Sequence, residues 1–222
     1  LLYHRHPPTA LLAADDVAEP DPGLAPNRPL LPRHLRTGDA ASPGDLVTGR
    51  NVLLANDDVR LAVAAPTEAS GLYRNATGDE LVYVRSGALT LESSFGALDC
   101  TAGDYVVVPT GTTHRWVPGP GEPAQVLVIE AKGHIGPPPR YLSDRGQFLE
   151  HSPYCERDLH GPTAPLLADG APDGTDVLVR HRDGLTRYRY AHHPFDVVGW
   201  DGCLYPYRFS IHDFEPITGR VH

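Results

Sequence analysis

The sequence predicts an all-β protein, and three observations support this fold class. Short apolar runs of strand length follow one another between residues 51 and 130, separated by Gly, Asp and Pro. Asp183-Gly184 lies between the strand-like segments 176–182 and 185–190, a pattern typical of a two-residue hairpin. No long amphipathic helix pattern occurs in the chain. Regularly spaced short strands of this kind predict a sandwich or a barrel.

The composition argues against several classes of function. A chain of 222 residues, 41% of them hydrophobic, is long and apolar enough to bury a core. The 28 acidic and 19 basic residues give a net charge of -9, which argues against nucleic acid and anionic membranes as partners. The longest apolar runs, such as 126–129, are far too short for a membrane-spanning helix. We therefore expect a soluble, cytoplasmic protein.

The sequence predicts four segments along the chain. Residues 1–49 contain eight prolines, and because proline fixes φ and lacks an N–H, we expect an extended, proline-rich arm. A first barrel is predicted over 50–135, and three successive prolines after Gly136 mark a linker over 136–160. Residues 161–222 are expected to begin a second barrel that is incomplete here. The absence of Met indicates a piece of a longer protein. The predicted strands of the first barrel are 51–55, 59–64, 81–85, 88–92, 105–108, 114–117 and 124–130.

Two local patterns resemble the motifs of the cupin superfamily. Segment 103–114 carries glycine, proline, glycine and histidine at the spacing G-x5-P-x-G-x2-H, which fits the second cupin motif: a strand, a tight turn and a return strand. The segment that begins at Glu80 fits the end of the first cupin motif, E-x6-G. The resemblance implies a cupin or jelly-roll barrel, a double-stranded β-helix, with His114 pointing inward.

The metal ligands of such a barrel are not all present in this segment. Metal-binding cupins carry two histidines a few positions before the glutamate, and here those positions hold Tyr73, Arg74, Asn75 and Ala76. A site of three histidines and one glutamate is therefore not expected. We interpret His114 as a hydrogen-bonded barrel histidine, with a ligand role as the alternative. Glu80 is interpreted as a paired or solvated carboxylate rather than an isolated catalytic acid.

Two pairs of histidines outside the barrel motifs are also interpreted as structural. His192 and His193 are adjacent, and neighbouring residues of a strand face opposite sides, so at most one of them could reach a given ion. His4 and His6 would share a face of an extended segment, but no third ligand lies near them in the sequence. Neither pair predicts a metal site.

Longer segments resemble the homogentisate 1,2-dioxygenase family, in particular its bacterial branch. The run from His193 to Gly202, HPFDVVGWDG, and the following Tyr205-Pro206-Tyr207 are similar to that family's S-P-F-x-V-V-x-W-x-G stretch and the P-Y-x-Y/F that follows it. This tryptophan-containing stretch is far more specific than a bare cupin motif. Further segments with the same resemblance are 2–5, 29–30, 32–36, 79–87, 94–96, 103–108 and 130–135.

The resemblance implies a two-cupin enzyme that opens the ring of homogentisate with O2 and yields maleylacetoacetate in tyrosine and phenylalanine breakdown. It implies Fe(II) held by two histidines and one glutamate of the second cupin, in segments expected after His222. By order and spacing, His222 matches the family's catalytic base. The implied partners are a small aromatic substrate, O2 and further copies of the chain in a trimer or hexamer.

Two other functions stay open at the level of sequence. One is a metal-free cupin that binds a small molecule or a partner without catalysis, although such a binder would be expected to end near Glu130. The other is a metal-free isomerase or epimerase, for which only His114 and Glu80 offer themselves as acid and base.

Overall fold

The computed structural model describes residues 1–215, and most of this part of the chain is β-structure. Within these residues, one short helix, α1, spans Thr37–Ala40, and three single 3-10 turns follow it. The strands are β1 Leu2–His4, β2 Leu11–Val17, β3 Pro43–Gly44, β4 Asn51–Ala55, β5 Val59–Pro66, β6 Leu72–Asn75, β7 Glu80–Ser86, β8 Ala88–Ser93, β9 Gly96–Thr101, β10 Asp104–Val108, β11 His114–Pro118, β12 Gln125–Ala131, β13 Thr175–His181, β14 Gly184–Tyr190, β15 Val197–Trp200 and β16 Tyr207–Ser210.

Two seven-stranded sheets pack on one core. One sheet has the order β16-β10-β7-β12-β5-β3, with β4 also paired to β5, and the other has the order β2-β14-β13-β6-β11-β8-β9. Strands β1 and β15 form a separate two-stranded sheet. The main core joins valines of β7, β10 and β12 to leucines of β8 and to Trp116 of β11. The all-β cupin, or jelly-roll, fold class is confirmed.

Alternation of burial along the strands explains how polar groups enter this core. In β7 and β12 every second side chain points inward. Glu80 therefore lies on the same face of its strand as Val82, and Glu130 lies on the same face as Val128. The two strands are paired with Glu80 directly opposite Glu130. The pleat therefore brings two carboxylates to one end of the barrel interior.

The seven predicted strands of the first barrel are all present. The sequence did not predict β6 or β9, and it did not predict that the arm would contribute strands. Strand β2 pairs with β14 at the edge of its sheet, and β1 pairs with β15. These two strands contain no proline, and the third strand of the arm, the two-residue β3, has Pro43 at its first position, where a proline is tolerated.

The predicted hairpin is present, but its turn is one residue earlier. His181 pairs with Gly184, so Arg182 and Asp183 form the two-residue loop. Gly184 begins β14 with a φ of +141°, a conformation that L-residues rarely adopt. The glycine is therefore needed at the first strand position rather than within the turn.

Three of the four strands after residue 160, β13, β14 and β16, join the same two sheets as the first barrel, whereas β15 pairs with β1. Strand β13 is parallel to β6, and β16 is antiparallel to β10. A smaller core of Leu72, Val177, Val179, Tyr190 and Phe195 fills the space beside them. The expected division of the chain at 136–160, with a second barrel beginning at 161, stays a prediction.

No helix within residues 1–215 is long and apolar enough to cross a membrane.

Candidate functional site

The predicted catalytic residue, His222, lies outside the described residues. The last described hydrogen bond of the chain joins the Glu215 N–H to the carbonyl oxygen of Pro153 at 2.7 Å. Just before it, the ring of Phe214 packs on Tyr154. The site residues that the structure does place are those of the barrel interior and of the histidine-rich sheet β1–β15.

Arg50 is the centre of the barrel interior, although no sequence motif marks it. Its side chain is only 6% exposed, and its guanidinium donates to Glu80 through Nη1–Oε1 at 3.1 Å and Nη2–Oε2 at 2.9 Å. Nη1 also lies 2.8 Å from Oε1 of Glu130, and Nε donates to the carbonyl oxygen of Leu46 at 2.9 Å. Asn75 donates to Oε1 of Glu80 at 3.0 Å. One buried cation therefore joins both inward carboxylates.

The ionisation of Glu80 follows from these contacts. Burial by itself would raise the pKa of this carboxyl, but the charge and hydrogen bonds of Arg50, helped by Asn75, lower it to about 2. Burial and the Glu80 carboxylate raise the pKa of the neighbouring Tyr73 hydroxyl. Glu80 is thus a permanent anion, and Tyr73 a permanent neutral phenol, at cellular pH.

His114 begins β11 and is completely buried in the barrel. Its Nδ1 lies 3.0 Å from the carbonyl oxygen of Thr112, which fixes the proton on Nδ1 and leaves Nε2 without one. Within residues 1–215, Nε2 has no hydrogen-bond partner. Tyr73 and Trp116 meet the imidazole edge-to-face, and burial lowers its pKa. His114 is therefore a neutral, hydrogen-bonded barrel histidine, as interpreted from the sequence.

The donor set around His114 does not fit a metal ion. Both carboxylate oxygens of Glu80 already accept from Arg50, and Asn75 is engaged with the same carboxylate. Tyr73 stands where metal-binding cupins have a histidine, and it has no nitrogen to offer a metal. Its hydroxyl oxygen instead accepts a hydrogen bond from Arg180 Nε at 3.2 Å. The guanidinium supplies the positive charge that an ion would bring, so Fe(II) has no place beside it. Among residues 1–215, no three His, Cys, Asp or Glu side chains are grouped so that they could hold a metal.

The network continues from the barrel to the proline-rich arm. Arg180 Nε lies 3.7 Å from Oε2 of Glu130, and Arg180 Nη1 lies 2.7 Å from Oε1 of Glu19. Glu19 in turn accepts from Arg60 at 2.9 Å. The arm residues 17–22 cover a cavity of about 400 Å³ whose inner wall includes Arg50. The arm is therefore held over the mouth of the barrel by a carboxylate shared between two arginines.

Two segments that resemble the dioxygenase family, 2–5 and the tryptophan-containing stretch, lie together in space. In the β1–β15 sheet, Leu2 pairs with Trp200 and Tyr3 with Gly199. The buried Asp196 receives His4 Nδ1 at 2.6 Å and the backbone N–H of His6 at 3.0 Å.

Asp196 was not predicted as the partner of His4 and His6, because 190 residues separate it from His6 in the sequence. The only sequence signal for this contact was that the segments around His4 and Asp196 both resemble the same dioxygenase family. Of the other predicted pair, His192 stacks on His6 with ring centroids 4.0 Å apart. His193 Nδ1 accepts the N–H of Phe195 at 3.0 Å.

Comparison with known families gives one match over most of the chain. Residues 59–211 match the family model described as "Homogentisate 1,2-dioxygenase N-terminal". This range contains the barrel from β5 onward and the tryptophan-containing segment, and it covers more than half of the chain.

Curated relatives agree with this match. The "Putative dioxygenase SSO1533" of Saccharolobus solfataricus is 34% identical over 225 residues, which is all of this chain and 57% of that protein. The "Homogentisate 1,2-dioxygenase" of Nitrobacter hamburgensis is 30% identical over 145 residues, 65% of this chain and 31% of that protein. The chain thus spans from about a third to just over half of the length of these relatives.

Solved structures with similar folds match only part of the chain. A protein with a double-stranded β-helix domain from Klebsiella pneumoniae has a TM-score of 0.40 and 22% identity, covering 47% of this chain and 88% of that one. A cupin-2 domain protein from Shewanella frigidimarina has a TM-score of 0.34 and 21% identity, covering 37% and 78%.

Proposed function

This chain belongs to the homogentisate 1,2-dioxygenase N-terminal family, and we propose that the protein containing it opens the ring of homogentisate, 2,5-dihydroxyphenylacetate, with O2 to give maleylacetoacetate. The observation that carries the proposal is the family match over residues 59–211. The pairing of β1 with β15 supports it, because two segments that resemble that family in sequence form one structural unit. The coarser assignment, a dioxygenase of this family, agrees with the curated relatives described above.

The proposal includes Fe(II) as the cofactor on family resemblance alone. When bound, Fe(II) would supply open coordination positions for O2 and a bidentate substrate. The barrel residues do not fit that ion, since Arg50 binds both oxygens of Glu80, and Arg50 and Arg180 each lie beside one oxygen of Glu130. We therefore propose that its ligands come from residues other than 1–215 and that this barrel acts as a charge-neutral scaffold. His222 is proposed as the base that takes a proton from the substrate phenol.

The remaining parts of the proposal concern location and assembly. We propose a cytoplasmic homo-oligomer, a trimer or a hexamer, whose partners are a small aromatic substrate and O2. The acidic balance of the chain, 28 acidic against 19 basic residues, supports partners other than nucleic acid. Sedimentation of the full-length protein tests the assembly state directly.

The reaction is tested on the full-length protein, purified without O2 and loaded with Fe(II). We expect uptake of one O2 per homogentisate and, with isotopically labelled O2, both labelled atoms in the ring-opened product. Gentisate, which lacks the methylene group, and 3-hydroxyphenylacetate, which lacks one hydroxyl, are the matched controls and should react far more slowly. Homogentisate binding without O2 uptake would contradict the proposal and favour the non-catalytic binding module. Faster turnover of gentisate would contradict the proposed substrate.

A further inference from the structure

A cavity of ligand size lies outside the barrel interior. Its volume is about 470 Å³, within the range of roughly 300–1,000 Å³ that is usual for small-molecule sites. It lies between the arm, the loop that follows β10 and the segment 190–204. We call it the Arg74 cavity, and the lining residues that matter here are Arg74, Phe95, Pro109, Tyr190, His193 and Pro194.

Arg74 is the cation of this cavity. It lies on β6, and its guanidinium donates to the hydroxyl of Tyr190 and lies 5.7 Å from the centre of that ring. Within the described part of the chain, Arg74 forms no ion pair with a carboxylate, whereas Arg50 and Arg180 are each shared between two acidic side chains. A guanidinium carries five donors in a planar fork that matches a carboxylate. Most donors of Arg74 are therefore available to a ligand.

Two further donors face the same space. The Tyr190 hydroxyl accepts from Arg74, so its own proton is free to be donated to a second acceptor. His193 Nδ1 accepts a backbone N–H, so its proton is on Nε2. Burial, together with the charge of Arg115, lowers the pKa of His193, which makes this imidazole a neutral donor near pH 7.

The carboxylates that line the cavity already have partners. Asp196 is held by His4 and by the backbone of His6, and Asp201 accepts the hydroxyl of Tyr3. These acids are therefore engaged away from Arg74. The charge that Arg74 brings to the cavity is left without a counter-ion in this part of the chain.

Apolar, flat groups form much of the remaining wall. The ring of Phe95 is almost fully buried, and the rings of Pro109 and Pro194 lie on the same cavity. We infer that the Arg74 cavity binds a small aromatic carboxylate, with the carboxylate on Arg74 and Tyr190 and the ring against Phe95 and the prolines. This site is independent of the proposed ring-opening reaction and of any metal.

The test is titration calorimetry of the full-length protein with benzoate as the probe. Benzamide has the same ring and shape without the charge, so it should not bind detectably. Arg74→Gln should weaken benzoate binding at least about tenfold, because a charge-assisted, two-point contact is lost. Arg187→Gln is the matched control, since Arg187 is exposed on β14 in the same sheet and does not line the cavity. It should leave the affinity unchanged.

A second variant protects the test against misfolding. Tyr190→Phe keeps the ring beneath Arg74 and removes only the hydroxyl, so it should weaken benzoate several-fold while the melting temperature stays near that of the parent. Absence of benzoate binding, equal binding of benzamide, or unchanged affinity in folded Arg74→Gln would each overturn the inference. Benzoate bound elsewhere, such as at a catalytic centre, would show as insensitivity to both variants.

Discussion

Arg50 and Glu80 face each other inside the barrel and are joined by two parallel hydrogen bonds of 3.1 and 2.9 Å. Glu80 is 1% exposed, so neither charge can be solvated if the other is removed. The pair is also the inner end of a chain of alternating charges. Glu80, Arg50, Glu130, Arg180, Glu19 and Arg60 follow one another from the core to the arm.

Replacement of the central cation should be severely destabilising. Arg50→Met keeps the apolar stem of the side chain but leaves Glu80 buried without a counter-charge and Glu130 with only the 3.7 Å contact to Arg180. We expect a loss of about 3–5 kcal/mol in the free energy of unfolding, measured by urea denaturation. Arg60→Met, at the partly exposed outer end of the same chain, should cost no more than about 1 kcal/mol. Equal losses in the two variants would contradict the central role of Arg50.

Neutralising the two carboxylates should compensate for the lost arginine. In the triple variant Arg50→Met, Glu80→Gln, Glu130→Gln, no buried charge is left unpaired at the inner end of the network. We expect it to recover a substantial part of the stability that Arg50→Met loses, since replacing all members of a buried pair is far less costly than removing one. A triple variant less stable than Arg50→Met would show that packing of the guanidinium, rather than its charge, stabilises the barrel.

Acid should destabilise the fold through Glu80. The pKa of this carboxyl is lowered from 4.5 to about 2 in the folded barrel. A lowered carboxyl pKa gives stability that is present above the unfolded pKa and is lost as the pH falls toward the folded one. The free energy of unfolding should therefore decline between about pH 4.5 and 2, and Glu80→Gln should flatten that decline. Asp176→Asn, an exposed partner of Arg189, is the matched control and should change the profile little.

Gly78 lets the backbone just before Asp79 and Glu80 pass close to the backbone of Ala131. A Cβ built on Gly78 would lie 1.8 Å from the carbonyl oxygen of Ala131, which is backbone and cannot rotate away. Gly78→Ala should therefore lower the free energy of unfolding by about 1–3 kcal/mol, the usual cost of overpacking. Gly71→Ala is the control, because nothing lies within 4 Å of its Cβ position. A thermal melt of both variants distinguishes this clash from a general effect of replacing glycine.

Much of the fold could be predicted from the sequence because the barrel strands are short apolar runs between breakers. Strands β7 and β12 could be predicted as strands, but not their inward faces, because the outward residues Leu81, Tyr83, Leu127 and Ile129 are as apolar as the inward valines. Strand β9 was missed because a glycine begins it and Leu98 is its only large aliphatic residue, so it is not an apolar run. The arm strand β2 was missed because the arm as a whole is rich in proline, although the seven residues of β2 contain none.

The site was less predictable, since its contacts join distant parts of the chain. Arg50 meets Glu130 across 80 residues, and His6 meets Asp196 across 190. Single arginines such as Arg50 and Arg74 carry no local pattern that distinguishes them from surface arginines. The cupin motifs identified His114 and Glu80 because those residues belong to a local turn-and-strand pattern. Their partners could be found only from the folded chain.

The last prediction concerns His222 in the full-length protein, where it rests on the family resemblance. Opening the ring requires the substrate phenol to lose a proton, and a neutral imidazole with an ordinary pKa of about 6.5 suits that role at cellular pH. His222→Phe should therefore keep Fe(II) bound while kcat falls about a hundredfold or more, in the range typical of general-base removal. Iron content, melting temperature and kcat should be measured on one preparation. A packed histidine without a catalytic role would give the opposite result, a lowered melting temperature with near-normal turnover per folded molecule.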